Sequence, residues 1–401
     1  MEFQFQGEIS ASKSILNRLL VIQSFASGLT ILGDSRCDDV LKMKSALPRV
    51  MGAKGEPADC GAAGTTFRFL TVRASRLPGR HLLTGTQKLL DRPQEALVSI
   101  LRDLGVKVER TAQGLELESA GWKNPGRPLR IDRSQSSQFA SAVLLSAWDL
   151  DFDLDVEFTG IEDKEAPSEG YLEMTVKLVE QAGLEVRSSD KGFRVSRGSK
   201  VKAKSIRAET DLSSAFAIAA LAAVAGRAVI EEFPEKSLQP DAVFPEILKA
   251  MGAGVRKDGT SLIVEKAREL RAVEWNLRDC PDLFPVLATV CAQAKGRSRL
   301  FGAPHLAHKE SSRIESTARL LRELRTKFES KPDGMEVEGG PISSRAFDFD
   351  PEHDHRLAMA AAVARAGGAS VNVLDPRVVD KSFPEFWQIL ERGLTSKRSP
   401  Q

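Results

Sequence analysis

Apolar residues recur along this chain at two alternating periods. In SILRDLGVKVERTAQGLELE, KLVEQAGLEVRSSDKGFRVS and EILKAMGAGVRKDGTSLIVE, leucine-type residues at helical spacing stop at Gly105, Gly183 or Gly252, and strand-like alternation takes over. A glycine at that point suits a left-handed helix C-cap. A second glycine, Gly114, Gly192 or Gly259, suits the turn between two strands. Weaker copies fall at Gly52, at Gly393, and in LLRELRTKFESKPDGMEVE, where Arg325 replaces the glycine. Six such copies, too widely spaced for a solenoid, predict a strand-helix-strand-helix-strand-strand module used six times. One helix–Gly–strand segment is ordinary α/β punctuation, but three strong copies in one register are a repeat.

Between the copies lie DLSSAFAIAALAAVAG and SSQFASAVLLSA, whose small residues allow close packing at a domain centre. The chain has 401 residues, more than one hydrophobic core usually serves, so the six modules divide naturally into two domains of three. A net charge of +2 gives no bulk attraction to nucleic acid or a membrane surface, and neither is expected as a partner. Cys37, Cys60, Cys280 and Cys291 show no paired spacing, which predicts neither a disulfide framework nor a zinc site. The N-terminus lacks a basic region followed by an apolar core, and the run Ala215 to Ala225 is too short to span a bilayer. A cytoplasmic protein is expected.

Candidate chemistry sits at predicted helix starts. SASKSILNRLL groups Lys13, Ser14 and Arg18 around one, with Ser12 or Ser14 available as a cap and free N–H groups that attract anions. DCGAAGTTFRFL offers a glycine-rich turn in which Gly61 and Gly64 let backbone approach a ligand, and TGTQKLLDRPQEAL puts Arg92 beside Pro93 at a helix mouth. DRSQSSQFASAVLL supplies Ser136, Ser137 and Gln138; capping uses one of them and leaves two for a ligand. HKESSRIESTARLL carries Lys309, Glu310 and Arg313, with the two cations one helical turn apart. His355 and Arg356 run straight into an apolar helix, and Lys381 follows in DPRVVDKSFPEFW. Each cluster alone reads equally well as a solvated, capped helix start. Their joint occurrence predicts helix termini converging on one cleft that binds anions.

With the motifs SKSILNR, AAGTTFR, LDRP, SSQF, SEGYLEMT, DLSSA, CPDLFP, HKESSRI, DHRLAMA and DKSFPEF in this order, the chain resembles the 5-enolpyruvylshikimate-3-phosphate synthase family over essentially its whole length. The resemblance implies an α/β fold of two similar domains, each of three βαβαββ units, with the active site in the interdomain cleft. By the same analogy one domain comprises residues 1–11 and 209–401 and the other residues 12–208, and they close around substrate. The implied reaction moves the enolpyruvyl group of phosphoenolpyruvate to the 5-hydroxyl of shikimate 3-phosphate. By position, Lys13, Ser14, Arg18, Ser136, Ser137, Gln138, Ser168 and Lys309 match the residues that hold shikimate 3-phosphate. Lys13, Gly64, Arg92, Gln138, Arg313, Arg356 and Lys381 match those that hold phosphoenolpyruvate. Asp282 matches the carboxylate at the attacking hydroxyl, Glu310 the acid that protonates the methylene carbon, and Tyr171 the tyrosine beside the acceptor-site serine. Lys13 joins Asp282 and Glu310 in the implied catalytic set.

These residue types suit that chemistry. Two substrates bring four anionic groups, which calls for several Arg and Lys, and Arg binds carboxylate or phosphate in bidentate fashion. Addition across the enol double bond needs one group to take a proton and another to give one to carbon. No cofactor or metal is required, and a monomer is expected. Ser10-Ala11, Ala62, Phe69 and His305 depart from the family's usual residues. The rival readings are a UDP-N-acetylglucosamine enolpyruvyl transferase and an inactive binding homologue. Against the first, the TGTQKLLDRP loop has no cysteine; against the second, all the implied catalytic positions are kept.

Overall fold

The computed structural model describes residues 2–52, 56–134, 136–160 and 168–395. The chain divides into two compact units, Met1–Ser10 with Glu209–Gln401, and Ala11–Ala208.

One sheet pattern appears four times. Within Ala11–Ala208 the strands run Ala58–Asp59, Gly79–Thr84, Gly114–Ser119, Lys107–Thr111 in spatial order, and again Leu129–Asp132, Leu154–Thr159, Gly192–Val195, Val186–Ser189. The other unit contains Glu274–Asn276, Gly296–Phe301, Gly334–Gly339, Lys327–Lys331, and also Glu2–Gly7, Gly226–Ile230, Ser261–Glu265, Gly254–Asp258. In each sheet the first pair is parallel and the later pairs are antiparallel. A parallel pair needs a crossover, which helices such as Gly64–Ala74, Gln138–Leu145 and Phe284–Cys291 supply. A second helix then leads into the closing hairpin, completing the βαβαββ order.

The two remaining modules are cut short. Thr30–Leu32 pairs in parallel with Ser205–Arg207, and Phe347–Phe349 with Val371–Val373, and among the described residues neither pair gains a hairpin. The reason is length. Few residues separate Met51 from the next sheet at Ala58, and after Gly393 the strand Leu394–Thr395 pairs instead with Glu2 and Phe3. These are the modules whose sequence copies, at Gly52 and Gly393, are weak.

The helix-ending glycines behave as the pattern predicts: Gly105, Gly183 and Gly252 have φ of 81°, 107° and 93°, and Arg325 takes the same left-handed conformation at 55°. The second glycines differ. Gly259 lies in its turn, but Gly114 and Gly192 open a strand, as does Gly334. A Cβ on any of these three would lie 1.9 Å from the carbonyl oxygen of Leu83, Val156 or Leu300 on the neighbouring strand. Close approach of two backbones, rather than a turn, requires glycine there.

Each unit packs around helices buried on all sides. All fourteen residues of Leu212–Ala225 are buried, and that helix packs against His355–Ala366 and Phe284–Cys291. Its alanines carry no apolar stripe because there is no solvent face to avoid. In Ala11–Ala208 the corresponding helices are Lys13–Gln23, Gly64–Ala74 and Gln138–Leu145. The four cysteines are buried free thiols. Among the described residues no helix is long and apolar enough to cross a membrane.

Candidate functional site

In the unit containing Glu209–Gln401, one arginine organises the chemistry. Arg313 opens the helix Arg313–Glu323 and its side chain is 1% exposed. Its Nε donates to Asp354 at 2.9 Å, one terminal nitrogen to Asp282 at 2.7 Å, and the other to Glu310 at 3.0 Å. Arg356 donates to the second oxygen of Asp282 at 2.7 Å, and Lys381 lies 3.6 Å from Glu310. Asp354 caps the helix His355–Ala366 by accepting from the Arg356 N–H at 3.0 Å, and it also accepts from Ser311. A cap residue and a buried salt bridge therefore fix Asp282 and Glu310 on one guanidinium.

Lys309 does not share a helix with Arg313 as its spacing suggested. It ends the short helical turn Pro304–His308, ahead of the helix proper. It still reaches the cluster: burial lowers its pKa, with Asp282 and Arg313 among the charges acting on it. Burial would raise the Asp282 carboxyl, but Arg356, Arg313 and Lys309 outweigh it and hold the group well below the usual range. Burial would likewise lower Arg313, yet Asp354, Glu310 and Asp282 raise it further.

Burial, reinforced by Lys309, pushes the His305 imidazole down to about 3. The ring is therefore neutral in the folded protein at pH values where an unfolded chain, titrating at 6.5, takes up a proton. Its contribution to stability is complete above pH 6.5 and is lost as pH falls from there toward 3, at about 1.4 kcal/mol per pH unit. His305→Asn is expected to flatten this part of the stability–pH curve. Denaturant unfolding of both proteins across this range checks it, and parallel curves would remove His305 as the cause.

In Ala11–Ala208 a second set of polar groups forms. Lys13 opens the helix Lys13–Gln23 and bonds Asp39 at 2.9 Å, while Thr66 donates to the Asp39 carbonyl at 3.3 Å. Gln138 opens the helix Gln138–Leu145; its oxygen accepts from Arg68 at 2.7 Å and its amide donates to Thr65 at 3.1 Å. Arg68 also approaches Ser136 at 3.3 Å and stacks over Phe139. Burial and the nearby Arg92 bring its pKa down to about 10. Two guanidiniums, a carboxamide bonded to one of them and a helix start at Gly64 form a surface suited to an anion.

Arg92 lies in the loop before the helix Glu95–Asp103, so Pro93 precedes that helix instead of entering its first turn. A Cβ at Gly64 would stand 2.9 Å from an Arg92 terminal nitrogen. Gly64→Ala is expected to displace that guanidinium and raise KM for an anion held there by roughly ten-fold. Steady-state kinetics varying each substrate in turn would show it, and unchanged KM values would remove Arg92 from the site.

The remaining residues are placed as follows. Ser12 sits at the N-cap position but makes no side-chain cap bond, so neither expected cap forms there. Arg18 is 2% exposed and is occupied internally, donating to Thr175 at 2.7 Å, the Ser14 carbonyl at 2.8 Å and the Tyr171 carbonyl at 3.2 Å. Ser136 accepts from the Gln138 N–H at 3.2 Å, whereas Ser137 makes no side-chain cap bond. Ser168 precedes the helix Glu169–Ala182 at φ 58° and is 7% exposed. Asp354, Asp39 and Arg68 join the set although the sequence reading did not assign them. Asp354 left a signal, an acidic residue one position ahead of an apolar helix, as did Asp39 in the first turn of Asp38–Met51.

The family profile described as EPSP synthase (3-phosphoshikimate 1-carboxyvinyltransferase) matches residues 5–390. The 3-phosphoshikimate 1-carboxyvinyltransferase of Thermococcus kodakarensis is 32% identical, with 98% of each chain covered. That of Methanoculleus marisnigri is 34% identical over 83% of this chain and 78% of its own. Among solved structures, EPSP synthase from Acinetobacter baumannii aligns with a TM-score of 0.76 at 22% identity, covering 98% and 96% of the two chains. The enolpyruvyl transferase NikO from Streptomyces tendae aligns with a TM-score of 0.72 at 15% identity, covering 98% and 95%. The fold is that of the two-domain enolpyruvyl transferases. Within that class, the chain belongs to the EPSP synthase family.

Proposed function

We propose that this protein transfers the enolpyruvyl group of phosphoenolpyruvate to the 5-hydroxyl of shikimate 3-phosphate and releases phosphate. The observation that carries the proposal is the pair of carboxylates, Asp282 and Glu310, held on opposite terminal nitrogens of Arg313. In this reading Asp282 accepts the hydroxyl proton as the oxygen attacks C2 of phosphoenolpyruvate, while Glu310, ionised on Arg313 in the free protein and protonated once phosphoenolpyruvate engages that arginine, delivers a proton to C3. The tetrahedral adduct then collapses: the Glu310 carboxylate removes a proton from the new methyl group, the double bond reforms, and the C–O bond to phosphate breaks. One acid serves both steps, because elimination reverses the carbon protonation.

Arg313 and Arg356 each hold one oxygen of Asp282 and so keep it a weak base. Both arginines are proposed phosphoenolpyruvate ligands, so the arriving anion draws them from Asp282 and restores basicity where the hydroxyl waits. Lys13, Gly64, Arg92, Gln138 and Lys381 complete the proposed set for phosphoenolpyruvate. Lys13, Ser14, Arg18, Ser136, Ser137, Gln138, Ser168, Asp282 and Lys309 form that for shikimate 3-phosphate. Arg18 spends three of its five N–H donors on Thr175, Ser14 and Tyr171, which leaves one on each terminal nitrogen for a phosphate. The proposal takes the protein to be a cytoplasmic monomer without a resident cofactor.

Phosphate release from phosphoenolpyruvate tests this reading. It is expected with shikimate 3-phosphate and absent with UDP-N-acetylglucosamine. Release with the nucleotide sugar alone would reassign the acceptor, and release with neither would favour a binding homologue.

A further inference from the structure

Arg133 is a charged side chain that none of the proposed substrate contacts uses, yet it is 1% exposed. It follows the strand Leu129–Asp132, and its backbone N–H donates to the Thr159 carbonyl at 3.0 Å. Its guanidinium stacks over Phe158, with its carbon 4.3 Å from the ring centroid, and donates to Glu169. Among the described residues its Nε, which is buried, has no hydrogen-bond partner. Burying a guanidinium that keeps an unpartnered nitrogen is costly, and is sustained only where stacking and an ion pair hold it in place.

Glu169 is the first residue of the helix Glu169–Ala182, and Ser168 immediately before it has φ 58° and ψ 42°. A non-glycine residue is strained in this left-handed conformation and stays there only when its surroundings over-determine it. Arg133 fixes the next residue along. It also begins the loop that runs to Ser136 and Ser137, so one guanidinium ties both serine-bearing segments of Ala11–Ala208 together. We infer that Arg133, acting through Glu169, is a positioning residue that holds Ser168 in its left-handed conformation and thereby sets affinity for the phosphate of the acceptor. The inference rests on the proposed function, in which Ser168 belongs to the acceptor site.

Calorimetric titration of shikimate 3-phosphate, alongside KM for phosphoenolpyruvate at saturating acceptor, separates the possibilities. Arg133→Met and Glu169→Gln are each expected to weaken acceptor binding by roughly ten-fold while changing KM for phosphoenolpyruvate less than about two-fold. The double variant is expected to be little worse than either single one, because both act through one ion pair. Glu169 is 38% exposed, so its variant keeps the test available if Arg133→Met does not fold. Equal weakening of both substrates, additive losses, or unchanged acceptor binding in a folded variant would each overturn the inference. A wild-type protein that does not bind shikimate 3-phosphate would instead overturn the functional reading, and the inference with it.

Discussion

Glu310→Gln is expected to lower kcat by roughly a thousand-fold while leaving the dissociation constants of both substrates nearly unchanged. The glutamine keeps the shape of the side chain and an oxygen that can accept from Arg313, 3.0 Å away in the native protein. It cannot donate a proton to carbon or take one back. General acid–base catalysis contributes about 10² to 10⁴ in rate, and in the proposed reaction one group serves both addition and elimination. Steady-state kinetics with calorimetric binding distinguishes this from a positional role. Parallel loss of binding and turnover would assign Glu310 to holding Arg313 and Lys381 rather than to proton transfer.

Removing Arg313 is expected to be as damaging to the fold as to the reaction. Asp354 is fully buried and depends on Arg313 Nε, while Asp282 and Glu310 take the two terminal nitrogens. Arg313→Met leaves a buried carboxylate without its cation, and breaking a buried pair this way costs about 3–5 kcal/mol. Arg313→Lys keeps the charge but cannot place donors on three carboxylates at once, so most of the loss should persist. Equilibrium unfolding in denaturant measures it. A loss below about 1 kcal/mol for Arg313→Met would mean that Asp354 finds other partners and does not depend on Arg313.

Much of this arrangement was legible in the sequence because it follows from local rules. The helix-to-strand transitions at Gly105, Gly183 and Gly252 depend on one backbone conformation, and the left-handed Arg325 shows that register, more than residue type, marks the repeat. Hairpin glycines were misread for a reason outside the local sequence. Gly114 and Gly192 answer to a carbonyl on a strand distant in the chain, which periodicity cannot reveal. The shortened modules at Gly52 and Gly393 were visible as weak copies, but not what limits them: few residues precede the next sheet at Ala58, and Leu394–Thr395 joins Glu2 and Phe3.

At the site, residue types were easier to read than bonding. The sequence suggested that Lys309 and Arg313 share a helical face, whereas the helix starts at Arg313 and Lys309 approaches from the preceding turn. The internal bonds of Arg18 could not be read from SKSILNR, because Thr175, which takes its Nε, lies far along the chain. Asp354 could have been found from its cap position, but its bond to Arg313 is a long-range contact. Arg68 stood in a quoted motif, and only its 2.7 Å bond to Gln138 shows its part in the site.

The most direct measurement follows phosphoenolpyruvate labelled with ¹³C at its enol carbons through a reaction with shikimate 3-phosphate in heavy water. Addition followed by elimination requires a transient methyl group, so the product should carry the labelled enol unit as an ether on the acceptor, with deuterium in its methylene. Labelled pyruvate as the sole product, or unreacted substrate, would contradict enolpyruvyl transfer by this protein. A transferred but deuterium-free methylene would contradict the role given to Glu310.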